Sequence, residues 1–333
     1  MNLMFSFIVP VYNRPNEIRE LLQSLEQQTY NKPYEIVIVE DGSTISSEKE
    51  VSLFHNLPIS YYKKENSGPG DSRNYGMRKA KGNYFIVLDS DCILPPHYLE
   101  TAETSLQNNY VDCYGGPDAA HESFSTVQKA INYAMTSFFT TGGIRGGKKA
   151  VDKFQPRSFN MGISKVAFEK TGGYGNIHPG EDPDLTIRIW NNGFTTKLIP
   201  EAYVYHKRRI DWNKFYIQVN KFGMVRPILN KWYPETAKIT YWFPALFCFG
   251  FLMSLLASFL GLPWFLYCYS LYFAVLFVDS LLKNNSIVIA FLSLVAVVIQ
   301  FVGYGYGFLK STLTLNSSKK SAQELFPKLF FKL

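Results

Sequence analysis

Tyr84-Phe85-Ile86-Val87-Leu88 runs straight into Asp89-Ser90-Asp91, and this stretch decides the fold. Its apolar residues are mostly aromatic or β-branched, which predicts a buried strand. The two acids fall where strand gives way to loop, two residues apart, so both carboxylates can point the same way. Paired hard oxygens on stiff backbone suit Mg²⁺ or Mn²⁺, ions usually completed by substrate phosphates. An Asp-x-Asp also occurs in ordinary turns. Its position after an apolar run is what favours a functional reading.

Upstream, Met4–Val11 is a second apolar run, ending in the turn Tyr12-Asn13-Arg14-Pro15. Pro15 to Gln28 carries Ile18, Leu21, Leu22 and Leu25 at helical spacing. Tyr34–Val39 is strand-like and ends in Glu40-Asp41-Gly42-Ser43. Ser46–Phe54 reads as a short helix, Ile59–Tyr62 as a strand and Ser72–Lys81 as a helix after a Gly-Pro-Gly loop. Pro95–Leu106 is a further helix. Such alternation predicts a parallel sheet with helices on both faces, which binds ligands at the carboxyl ends of its strands. Asp41, Asp89 and Asp91 all fall there, although Asp-Gly-Ser is also a common turn. The dinucleotide pattern GxGxxG and the Walker A pattern are both absent.

Residues 113–160 are less regular. Phe124 to Phe139 is a candidate helix, and Thr141–Gly147 with Lys148 and Lys149 reads equally as a mobile loop near a charged ligand or as a plain surface loop. Ser164–Lys170 and Asp182–Asn191 are helix-like, and Thr195–Leu198 is strand-like. Glu181-Asp182 opens the second of these helices. An acid there can cap the helix or act as a general base toward an attacking hydroxyl, and one residue can do both.

The chain has 333 residues, 47% hydrophobic and 18% charged, with a net charge of +7. No charged residue occurs from Trp242 to Val278 or from Ser286 to Leu309. A disordered chain, a small disulfide scaffold and a simple soluble globule are thereby excluded. Gly261-Leu262-Pro263 and Lys283-Asn284-Asn285 divide the apolar region into about three spans: 242–261, 264–282 and 286–309. Lys207, Arg208, Arg209, Lys214, Lys221, Arg226, Lys231 and Lys238 precede it, a juxtamembrane cluster matching the positive-inside rule and anionic lipid. The tail, 310–333, has five lysines and one glutamate and also favours the cytoplasmic side, whereas three spans starting inside end outside. No nucleic-acid module is visible. Cys92, Cys113, Cys248 and Cys268 have no metal-type spacing and read as reduced thiols. The apolar start, Met1 to Pro10, is too short for a signal peptide, so the first domain is expected in the cytoplasm.

With these residues in place, the chain resembles family 2 glycosyltransferases of the GT-A fold over about residues 4–206. The match comprises Phe7–Asn13, Val39–Ser43, Gly70-Asp71-Ser72-Arg73-Asn74, Leu88–Asp91 and Gly180–Leu185, in order and spacing. The resemblance implies an α/β GT-A (Rossmann-like) catalytic domain over 1–206, basic interfacial helices over 207–241, the spans over 242–309 and a basic amphipathic tail. It implies a nucleotide-diphosphate sugar donor and Mg²⁺ or Mn²⁺. Pro10, Tyr12 and Asp41 would line the nucleobase pocket, Arg73 would lie near the nucleotide, and Asp89 would contact ribose or metal. Asp91 would hold the metal, with His206 similar to a histidine that can join it. Asp182 would be the base, Glu181 would orient the acceptor, and Asn160 would sit on the acceptor-side strand.

One base opposite a metal-stabilised leaving group implies inversion at the sugar. The Gln-x-x-Arg-Trp sequence of the family's processive synthases is replaced by Gln218-Val219-Asn220-Lys221-Phe222-Gly223, which favours addition of a single sugar. The expected acceptor is a lipid-linked glycan or polysaccharide precursor at the cytoplasmic membrane. The alternative is a polyprenyl phosphate, and a non-catalytic membrane scaffold is the weakest reading.

Overall fold

The computed structural model describes residues 2–119, 124–142, 153–206 and 211–331. The lysines and glycines of 143–150 and the basic residues Lys207, Arg208 and Arg209 lie outside them. In chain order the elements begin with β1 (Phe5–Val11), α1 (Pro15–Glu26), β2 (Tyr34–Asp41), α2 (Glu48–Val51), β3 (Ile59–Lys64), α3 (Pro69–Lys79) and β4 (Tyr84–Leu88). Next come β5 (Cys92–Ile93), α4 (Tyr98–Asn108), β6 (Cys113–Gly115), β7 (Asp118–Ala119), α5 (Thr126–Thr136) and α6 (Phe138–Thr141). They continue with β8 (Asn160–Ser164), α7 (Lys165–Thr171), α8 (Glu181–Asn191), β9 (Thr196–Leu198) and β10 (Val204–His206). Helices α9 (Trp212–Trp232), α10 (Phe243–Phe259), α11 (Trp264–Asn284), α12 (Ile287–Ser317) and α13 (Ala322–Leu325) complete the series.

Two compact units result. The first holds 1–121, 147–207 and 330–333, and contains every strand found among the described residues. Its seven-stranded sheet has the order β3-β2-β1-β4-β8-β6-β9. Strands β1 to β4 are parallel, as the alternation predicted, and the near-continuous burial of β1, β2 and β4 is that of strands covered on both faces, while the edge strand β3 is only partly buried. The sheet is nevertheless mixed, because β8 runs antiparallel to both β4 and β6. One face packs Phe5, Phe7, Val9 and Val11 against α1 and α4 residues such as Leu21 and Leu99, and the other packs Ile8, Val37 and Val87 with Met77 of α3.

A second sheet, β5-β10-β7, lies beyond the end of β4. Its antiparallel register pairs Cys92 with His206. Cys92 and Cys113 are buried free thiols.

The second unit holds 122–146 and 208–329 and is helical among its described residues. Three of its helical stretches, Ile239–Phe259, Trp264–Asn284 and Ile287–Ser317, are long and apolar enough to cross a membrane. Helix α12 extends to Ser317, so Lys310 belongs to it. Helices α9 and α12 touch backbone to backbone. A Cβ on Gly223 would stand 2.1 Å from the Tyr304 carbonyl oxygen, and one on Gly307 would stand 2.3 Å from that of Asn220. Small residues permit such approach where lipid-exposed helices cannot rely on the hydrophobic effect. Asp279 of α11 is neutralised by Lys283 at 2.9 Å and accepts hydrogen bonds from Tyr133 and Ser137.

Candidate active site

The carboxyl ends of β1, β2 and β4 form one rim of the first unit. At the end of β1, Asn13 adopts left-handed backbone (φ 54°). Its side-chain oxygen accepts from the backbone N–H groups of Thr44 at 2.8 Å and Ile45 at 2.9 Å, while its own N–H donates to Ser43 Oγ. Asn and Asp tolerate this conformation better than other side chains. The loops after β1 and β2 are thereby stitched together. Pro10 is half-buried in this wall, and Tyr12 is 51% exposed.

Asp41 is buried and its carboxylate is fully used. Lys64 Nζ donates to it at 2.6 Å, and the backbone N–H groups of Ser67 and Gly68 donate at 3.0 Å each. Asp41 therefore shapes the loop between β3 and α3.

Beyond β4, the chain turns back so that the Cys92 N–H donates to the Asp89 carbonyl. The β5–β10 pairing then brings His206 over the two acids, its Nε2 3.2 Å from Asp91 Oδ1 and 3.8 Å from Asp89 Oδ2. Phe159 stacks on the imidazole at 4.8 Å and 13°. Arg14 pairs with the other Asp91 oxygen. Burial would raise the Asp91 pKa, but His206 and Arg14 outweigh it and hold the carboxyl well below its usual range. Among the described residues, ligand atoms of Asp91, Cys92 and His206 lie within 4.8 Å of one another. Burial pushes the Cys92 thiol well up, and its Sγ donates to the Phe159 carbonyl, so it stays protonated. With the thiol protonated, what remains is carboxylate and imidazole, the ligand chemistry of Mg²⁺ or Mn²⁺ rather than of a soft metal. The residues present fit such an ion.

Arg73 joins this group to helix α8. On α3 and 3% exposed, it donates to Asp89 Oδ1 at 2.7 Å and to Glu181 Oε1 at 3.1 Å, and it lies over the Tyr174 ring. Its neighbour Asn74 grips the Tyr174 backbone, donating to the carbonyl and accepting from the N–H at 2.8 Å each. The Arg73-Asn74 pair thus clamps both the loop before α8 and that helix's first residue.

Helix α8 starts after Gly180, whose φ of 119° only glycine readily adopts. Gly180, rather than an acid, occupies the capping position. Glu181, Asp182 and Asp184 fill the first turn, where negative charge suits the helix dipole. Glu181 is buried and also meets His178 Nδ1 at 2.9 Å. Asp182 is half-buried, with Oδ1 shielded from solvent and lacking a hydrogen-bond partner.

Asn160, expected on the acceptor side, has no exposed surface. Its oxygen accepts from the Tyr98 hydroxyl at 2.5 Å and its nitrogen donates to the Ala202 carbonyl at 2.7 Å. In this structure it braces the sheet beside Asp89 rather than facing a substrate. Arg14, Phe159 and His178 were not singled out from the sequence. Only His178 left a trace there, three residues before Glu181.

Residues 6–170 match the family described as Glycosyl transferase family 2. An uncharacterized glycosyltransferase of Haemophilus influenzae is 35% identical over 211 residues, 61% of this chain and 67% of that protein. The chain belongs to glycosyltransferase family 2. Another relative, an uncharacterized glycosyltransferase of Rickettsia felis, is 39% identical over 129 residues, 38% of this chain. That stretch spans 21% of the Rickettsia protein's length. Among solved structures, the mannosyltransferase PcManGT of Pyrobaculum calidifontis, in complex with GDP-Man and Mn²⁺, superposes with a TM-score of 0.61. The match covers 94% of this chain and 88% of that one at 16% identity, a likeness of fold. The family 2 domain here has the GT-A fold and is followed by the three apolar helices.

Proposed function

We propose that the protein is a membrane-anchored, inverting glycosyltransferase. It moves one sugar from a nucleotide-diphosphate donor to a lipid-linked glycan or polysaccharide precursor at the cytoplasmic membrane, its catalytic domain on the cytoplasmic side. The observation that carries this is the Arg73 bridge, which couples the Asp89–Asp91–His206 group to the first turn of α8 in a single cluster.

Asp91 and His206, with Asp89, would hold Mg²⁺ or Mn²⁺, which neutralises charge on the departing diphosphate when bound. Asp182, half-buried in the first turn of α8, accepts the proton of the acceptor hydroxyl at its carboxylate. Burial and the neighbouring Glu181 push its pKa up to about 6, suited to a base working near neutrality. Glu181 is tied to Arg73 and His178 and is not free to attack the sugar. One available carboxylate supports direct displacement, hence inversion. Pro10 and Tyr12 form the wall offered to the nucleobase, and Asp41 acts there by shaping the loop that faces it.

The reading is tested by thermal-shift screening of UDP-, GDP- and dTDP-sugars with Mn²⁺. A ligand of the native state stabilises by about 2.7 kcal/mol at a hundredfold excess over Kd. Transfer assays with lipid-diphosphate oligosaccharide and polyprenyl phosphate then identify the acceptor. No stabilisation by any sugar nucleotide overturns the proposal.

A further inference from the structure

Far along the chain from the motifs, Phe330 and Phe331 return to the first unit. Phe330 forms an antiparallel bridge with Ile177, and the Phe331 N–H donates to the Asn176 carbonyl at 3.0 Å. The Phe331 ring fills the gap between two loops. On one side it rests on Gly68, where a Cβ would stand 2.4 Å from the ring. On the other it leans on the His178 imidazole, centroids 5.7 Å apart and 49° between planes. Gly68 is held by Asp41, and His178 holds Glu181 at 2.9 Å. The side chain therefore wedges the donor-side loop against the loop that precedes the base.

We propose that Phe331 is a positioning residue acting through His178: it keeps the imidazole against Glu181, and so fixes the first turn of α8 that carries Asp182. The inference rests on Asp182 being the base. A small displacement of a catalytic group by loss of a distant support lowers turnover without abolishing donor binding, and losses of about tenfold to a hundredfold are expected from such shifts.

The test is a double-mutant cycle on the full chain, reading kcat, the donor Kd and thermal unfolding. Phe331→Ala and His178→Ala each lower kcat by about tenfold, and His178→Ala, which leaves the Phe331–Gly68 contact in place, keeps the donor Kd. The double variant is no slower than His178→Ala alone, because both changes break one linkage. His178→Asn, which retains a donor near the Nδ1 position, recovers part of the loss. Additive losses, or an unchanged kcat in Phe331→Ala, overturn the inference. Should Phe331→Ala not fold, Phe331→Leu keeps the apolar wedge without the flat ring and enters the same cycle. Asp182→Asn separates the two readings. If it retains full transfer, the assignment of the base fails. If it is inactive while the cycle is additive, only the role of Phe331 fails.

Discussion

Glu181 and Asp182 are adjacent in the chain, yet their carboxyl groups are driven in opposite directions. Burial would raise both. At Glu181 the charges of His178 and Arg73 outweigh burial and hold the pKa at about 2. At Asp182 burial and the fixed Glu181 charge act together and push it up to about 6. Two neighbouring carboxyls separated in this way are suited to different tasks, one a permanent anion and the other, in the proposed mechanism, an exchangeable base.

Transfer activity follows from that separation. As the proposed base, Asp182 works ionised, so kcat/KM falls as pH drops through about 6. Asp182→Asn lowers kcat by at least about a hundredfold. A pH–rate profile and single-turnover assays check both.

Stability moves the opposite way at this position. A buried acid whose pKa rises from 3.8 to about 6 binds its proton more tightly folded than unfolded. The folded state therefore loses stability from this group as pH rises through that window. Asp182→Asn removes the loss, so the inactive variant unfolds at a higher temperature than the parent at pH 7, and calorimetry at pH 4.5 narrows the gap.

Arg73→Ala leaves Asp89 and Glu181 without their shared counter-charge. Because Glu181 is buried, the expected destabilisation is on the order of 3 kcal/mol. Arg73→Lys cannot donate along both directions of the guanidinium fork and recovers only part of it. Thermal unfolding in detergent measures each.

The stacked Phe159 sets the orientation of His206. Phe159→Ala weakens Mn²⁺ binding by about tenfold, as changes to groups supporting metal ligands do, and Asp91→Asn weakens it further. Titration of free Mn²⁺ by electron paramagnetic resonance reads the change without any turnover. Unaltered affinity in both variants would falsify the metal assignment.

In the helical unit, Gly223→Val drives a side chain into the Tyr304 carbonyl and separates α9 from α12. The midpoint of thermal unfolding should fall in detergent, whereas Leu313→Val, at an exposed position, leaves it nearly unchanged.

Much of this molecule was legible in its residues because the signals were local. Apolar runs marked β1, β2 and β4, and the acids followed directly after them. The direction of β8 was not legible, since the composition of Asn160–Ser164 is the same whichever way it runs and only its pairing with β4 and β6 reveals it. Asp41 shows a second limit. Its sequence position placed it at the rim, but donors from residues 64–68, over twenty positions away, had already taken its carboxylate. Asn160 was likewise diverted by Tyr98 and Ala202, and His178 gained a role from a phenylalanine about 150 residues downstream. Long-range partners of this kind leave no spacing in a sequence.

The stitch that Asn13 makes between the first two rim loops bears on selectivity. A template already rigid before its guest arrives surrenders little configurational freedom on association. If this lip is the nucleobase wall proposed above, it also cannot reshape itself around a bulkier base. Discrimination among donors at this lip should then come from steric refusal, felt as slow or absent binding, rather than from slower chemistry on the wrong sugar nucleotide.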